Sequence, residues 1–228
     1  MTLLDCGPHR RLSTVTPHPI LKPLMTSTAP DPSTSDLAPG LLDFNQQVLD
    51  QALALLGHFG GTGQAAKPSL SGPVGAHLRH VVEHYAALVF PAEAGVVDYD
   101  ARPRERALES DPLLASSRLH EMRERLATWP AALLGTHVCV RGQGGLLGDR
   151  RFEVASTLGR ELAFVASHAI HHFAALAPHA CALGVTLPRD FGQAPSTVAH
   201  DRAVVVAPDS TNTPEPEETP CIALHQSA

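Results

Sequence analysis

Thr157-Leu158-Gly159-Arg160-Glu161-Leu162-Ala163-Phe164-Val165-Ala166-Ser167-His168-Ala169-Ile170-His171-His172-Phe173-Ala174-Ala175-Leu176, running on to Gly184, is the stretch that decides the fold. Its apolar residues recur at helical spacing, Ser156 or Thr157 suits the opening, and Gly184 suits the close. The reading is a long helix from Ser156 or Thr157 to about Leu183, with Pro178 kinking or shortening its last turns. His168 and His172 stand four residues apart, on one helical face about a turn from each other. Phe164, Val165, Ala175 and Leu176 share that face, so it is expected to point inward.

Working outward, three more helices are expected. The first begins near Pro39 and carries Leu42, Phe44, Val48, Leu49, Ala52, Leu55 and Leu56 up to Gly57. The second opens at Ser71-Gly72-Pro73, with Val74, Leu78, Val81, Val82, Tyr85, Leu88 and Val89 as its stripe, and ends by Pro91. The third starts at Asp111-Pro112, with Leu114, Leu119, Met122 and Leu126 inside, and stops before Pro130. Residues 136–155, with glycines 142, 144, 145 and 148 at the centre, read as a short hairpin or irregular insertion before the last long helix. Apolar stripes must be buried on one another, so the expected fold class is all-α, a four-helix bundle. Its boundaries are 38–198. Residues 1–37, rich in Pro, Ser and Thr, and the acidic tail 199–228 read as disorder, with Met25 as an alternative start.

Composition agrees and excludes. Aromatics are only 4%, which suits helices filled by Leu, Ala and Val better than a β-sandwich. Residues 38–198 hold 15 acids and 13 bases within a chain of net charge −6, so nucleic acid is not the expected partner. No apolar run approaches a membrane span, and no signal-like segment follows Arg10-Arg11. Cys6, Cys139, Cys181 and Cys221 lie far apart without a C-x-x-C pair, which reads as reduced thiols in a cytoplasmic protein.

The unusual count is 14 His, and they cluster. His77, His80 and His84 lie on the second helix; His168, His171 and His172 lie on the fourth. Two imidazoles one helical turn apart can grasp a transition metal, and a third from another helix would leave a coordination position open for water or substrate. His80 is the best third candidate. His77 and His84 remain candidate ligands or supporting donors, His171 is offset by about 100° from His172, and Glu83 either orients an imidazole or faces water. Three imidazoles suit Zn, Ni or Fe. The alternative is a metal-free network of hydrogen-bonded histidines. Asp98, Asp100, Arg102 and Arg104 read first as a solvated loop and second as a site mouth gripping a carboxylate. Cys139 and Cys181 read as packing residues.

Gly75-Ala76-His77-Leu78-Arg79-His80-Val81-Val82-Glu83-His84 together with Ser167-His168-Ala169-Ile170-His171-His172 resembles the DinB/YfiT-like family over roughly residues 38–198. The resemblance implies a four-helix bundle with one metal-binding histidine on the second helix and an H-x-x-x-H pair on a later one, which fall here on His80, His168 and His172. It also implies a divalent metal and a small-molecule substrate, with hydrolase or thiol-dependent transferase chemistry, in a chain that could form a homodimer. The alternative is a non-catalytic module that binds metal or a small ligand. Ala174 stands where the related helical domain of sulfoxide synthases carries Glu, which points away from an iron oxygenase.

Overall fold

In the computed structural model, residues 34–60, 67–91 and 94–206 are described. The longest helix, α4, spans Leu158–Ala182. Thr157 caps it by accepting the Arg160 N–H at 3.2 Å, and Gly184 at φ +81° turns the chain away at the other end. Pro178 does not shorten it: the helix continues four residues further. Its inward face carries Leu158, Leu162, Val165, Ala169, Phe173 and Leu176, all buried.

The other long helices are α1, Thr34–Leu56, α2, Gly72–Val89, and α3, Pro112–Ala127. α3 begins as its sequence demands, with the Asp111 carboxylate accepting the Leu113 and Leu114 N–H groups at 3.0 Å and Pro112 in the first turn. Ser71 occupies the N-cap position of α2 without a side-chain cap bond. α2 packs on α4, α1 packs on α3 and α4, and α2 also meets α3. Their stripes merge in one core that includes Leu49, Leu55, Leu78, Tyr85, Leu88, Leu119, Met122 and Phe173. One polar contact crosses it: the Tyr85 hydroxyl donates to Asn45 Oδ1 at 3.0 Å.

The protein is mostly helical but not plainly all-α, because it also holds a three-stranded sheet. The expected hairpin forms from β2, His137–Gly144, and β3, Arg150–Thr157, paired antiparallel with Val140 opposite Val154 and Arg141 opposite Glu153. The third strand, β1, Val96–Asp98, pairs parallel to β2 with Val97 opposite Val140. Three residues inside a charged segment are too few to show a period of two, and their partner lies 43 positions away, so local pattern reading passes over them.

Two stretches read as disorder are helical. Thr34–Asp36 lack an apolar period, yet Thr, Ser and Asp are helix-opening residues, and α1 starts there rather than near Pro39. Residues 199–206 belong to α5, Pro195–Val206, which opens on a proline and lies largely exposed without an apolar stripe. The expectations for residues 1–33, Met25 among them, and for 207–228 lie outside the described residues. The segment between α4 and α5 packs back on the core: Phe191 stacks on Phe173 with centroids 5.4 Å apart. Gly192, at φ +69°, makes this possible, since a Cβ there would lie 2.5 Å from the Ala174 nitrogen. Cys139 is a free, partly buried thiol. Among the described residues, no helix is long and apolar enough to cross a membrane.

Candidate metal centre

The helical spacing that places Leu78, Val81 and Tyr85 in the core turns His77, His80 and His84 to the flank of the same helix. α4 runs beside α2 and turns His168 and His172 toward them. The Nε2 atoms of His80 and His168 lie 2.9 Å apart, and the Nδ1 atoms of His77 and His172 lie 2.7 Å apart. One donor nitrogen each from His80, His84 and His168 falls within 4.8 Å of the others, a group that could hold a metal ion. Two imidazoles sharing a tetrahedral metal bring their ligand nitrogens to about 3.3 Å, close to the His80–His168 separation.

His172 stands beside this group, its ring centroid 4.4 Å from that of His80 and 4.5 Å from that of His168. His84, which the sequence left as a competitor or supporting donor, is the third member by geometry. Its Nδ1–H donates to the His80 carbonyl at 2.7 Å, leaving Nε2 with a free lone pair. That is the arrangement by which a backbone carbonyl fixes the tautomer of a metal-ligating histidine. His171 is exposed and meets the cluster only through an edge contact with His172.

The rings are held neutral. Burial is the main cause throughout, with neighbouring histidines adding to it and, for all but His77, Arg102 as well. It lowers His80 from 6.5 to about 2 and His84 and His172 to about 4, and it also lowers His77 and His168. Neutral imidazole is the form that binds metal. Tyr99 and Phe164 wall the cluster. Tyr99 stacks on His84 at 5.5 Å, Phe164 stacks on His168 at 5.5 Å, and the two aromatic rings meet at 5.4 Å. Glu161 fixes that wall, accepting from the Tyr99 hydroxyl at 2.8 Å and the Ser156 hydroxyl at 2.6 Å.

Sequence reasoning undervalued Arg102. Its side chain is only 11% exposed, and its Nη1 lies 2.9 Å from His80 Nδ1 and 3.1 Å from His84 Nδ1. The sheet puts it there. After β1, Asp98 Oδ1 accepts the N–H groups of Asp100 and Ala101, and Asp100 Oδ2 accepts the Gln143 N–H of β2 at 2.7 Å. The Arg102 Nε–H then donates to the Tyr99 carbonyl. No local signal separates such an arginine from a solvated one; the signal is the β1–β2 pairing, which is long-range. Glu83 likewise faces neither water nor an imidazole. Its Oε1 accepts the Glu105 N–H at 2.6 Å, while Oε2 is buried without a hydrogen bond, 3.9 Å from Arg102 Nη1.

These contacts bear on whether a metal fits. With His80 Nδ1 accepting from Arg102, its Nε2 carries the proton and donates to His168. Ligation through His80 Nε2 needs that proton on Nδ1 instead, so Arg102 must withdraw from this nitrogen. The donor set fits in number, spacing and protonation, at the cost of that one rearrangement. A hollow of about 690 Å³ lies elsewhere, against Arg189, Val198 and Arg202, and none of the clustered histidines lines it.

The fold and site together define a mostly helical protein with a histidine centre that could hold a metal ion. No protein-family model and no solved structure matches the chain. FK506-binding protein 5 of Rhizopus delemar is 30% identical over 105 residues, which make up 46% of this chain and 27% of that protein. A likeness of that span defines no family here and does not bear on the DinB-like resemblance.

Proposed function

We propose that the chain is a metal-dependent enzyme of the DinB-like superfamily, with α1–α4 as its four-helix bundle, acting on a small molecule by hydrolytic or thiol-dependent transfer chemistry. The observation that carries this reading is the convergence of His80, His84 and His168 from two helices, with donor atoms within 4.8 Å. A divalent transition metal, Zn, Ni or Fe, would be held by His80 and His168 with His84 as third ligand. His172 is the third ligand that the resemblance implies, and its ring is close enough to serve. Bound there, the metal supplies Lewis acidity, which keeps a water or thiol deprotonated near neutral pH.

The chain's own residues do the rest. The His80 carbonyl orients the His84 ring through its Nδ1–H. Tyr99 and Phe164 shield the rings and lower the local dielectric, which strengthens every charge interaction beside them. His80, His168 and His172 each keep some exposed surface, so a small ligand can approach them. Glu83 Oε2 stands 3.9 Å from Arg102, at the outer limit of ion-pair distance.

The test is elemental analysis of the untagged protein beside its His168→Ala and His80→Ala variants. Near-stoichiometric Zn, Ni or Fe in the parent, lost in both variants, is expected. Metal retained by either variant, or none in the parent after reloading, rejects the reading.

A further inference from the structure

Arg102 is an unusual neighbour for a metal centre. A cation placed next to ligand imidazoles weakens metal binding, so an arginine fixed there needs another reason. Three observations supply one. First, the guanidinium is built in: its side chain is 11% exposed, and its Nε–H is committed to the Tyr99 carbonyl on a segment pinned to β2 through Asp100. Second, it is not spent on its counter-ion. Glu83 Oε2 stands 3.9 Å away with no hydrogen bond, and among the described residues Arg102 Nη2 has no hydrogen-bond partner. Third, the charges do not balance once a divalent metal is in place. The imidazoles are neutral, and among the described residues the buried carboxylates are Glu83 and Glu161, the latter occupied by Tyr99 and Ser156. Metal and guanidinium together leave a surplus of positive charge in a partly buried site, which is costly unless an anion joins it.

We infer that Arg102 is the anion anchor of the site and that the substrate or co-substrate is a small anion, a thiolate or carboxylate, held jointly by the metal and the guanidinium. This rests on the metal reading above. A guanidinium offers two parallel N–H groups to a carboxylate or a charged donor to a thiolate, and it stays charged at any working pH. Arg102 Nη1 already lies within 3.1 Å of both ligand imidazoles of α2, so an anion bound beside them falls within reach of the same group.

The test uses the full chain loaded with Co(II), with thiocyanate as the probe anion, imidazole as a neutral competitor, and visible absorption as the readout. Thiocyanate is expected to perturb the cobalt spectrum, and Arg102→Met is expected to weaken its binding about tenfold or more while leaving imidazole binding unchanged. Cobalt affinity in Arg102→Met should hold or rise, because a competing cation is gone. Arg102→Lys, which keeps the charge but loses the fork, should fall between the two and guards against a misfolded methionine variant. Thiocyanate bound as tightly by both variants as by the parent overturns the inference alone. Failure of Co(II) to bind the parent overturns the metal reading and the inference with it.

Discussion

Phe173 and His172 are neighbours on α4 and meet opposite surroundings. Phe173 is fully buried in the hydrophobic core and stacked on Phe191. His172 turns to the α2 flank, where its Nδ1 faces that of His77 at 2.7 Å. The same division runs along α2, with Leu78, Val81 and Tyr85 on one side and His77, His80 and His84 on the other. On the core side, burial of each side chain stabilises the fold directly. On the histidine side, burial opposes charging, and the ring nitrogens satisfy one another in pairs that a metal would replace. One helix pair thus carries a face that holds the fold and a face that constrains it for another purpose.

The sharpest way to break this division is to truncate both neighbours. Phe173→Ala should cost about 3–5 kcal/mol in urea denaturation, from lost transfer energy and the cavity left behind. His172→Ala should cost far less, since it empties a polar, partly exposed position. Equal losses would mean that the histidine face is also structural core.

Next in size is the metal. His168→Ala should lower zinc affinity about a hundredfold or more, read by competition with a chelating dye, with little change in the melting temperature of the metal-free protein. For the parent, zinc at a thousand times its Kd should add about 4 kcal/mol of stability, and chelator should remove it. The third ligand is settled by the same titration: His84→Ala should weaken zinc more than His172→Ala. The reverse order would restore the triad of the resemblance, His80, His168 and His172.

Gly75 probes how the two faces are placed. A Cβ on it would sit 2.1 Å from the Glu109 carbonyl oxygen, so α2 lies directly against the short 3₁₀ turn at Arg106–Glu109 that follows Arg102. Gly75→Ala should cost about 1–3 kcal/mol by forcing that turn away, and it should disturb zinc affinity through Arg102. A purely global loss of stability, with affinity unchanged, would separate the turn from the site.

The two faces were unequally legible in the sequence. Apolar periodicity located α2, α3 and α4 and most of the core, because burial leaves a repeating mark on the chain. The clustered histidines were visible as a count and a spacing. Their company was not. Arg102 comes into the site through β1, a strand of three residues whose partner lies far along the chain, and Glu83, on α2 itself, finds its hydrogen bond on the Glu105 backbone. The choice between His84 and His172 depends on ring orientation, which a helical wheel fixes only to within a turn. α5 escaped because an exposed helix needs no stripe.

The smallest expected effect is a slope. His77, His80, His84, His168 and His172 titrate near 6.5 when unfolded and are pushed lower by burial in the fold, His84 and His172 to about 4. Between those values the unfolded chain binds more protons than the folded one, so stability must rise with pH across the window and level off above it. Urea midpoints of the metal-free protein should therefore climb from pH 4.5 to about 6.5 and then flatten, as burial of neutral imidazole requires. Replacing His84 with Gln should reduce that climb, whereas Phe173→Leu should shift the whole curve and leave its shape alone. A curve that is flat through this range would mean that the rings are as free to charge in the fold as out of it, and the contrast between the two faces of α2 and α4 would then rest on packing alone.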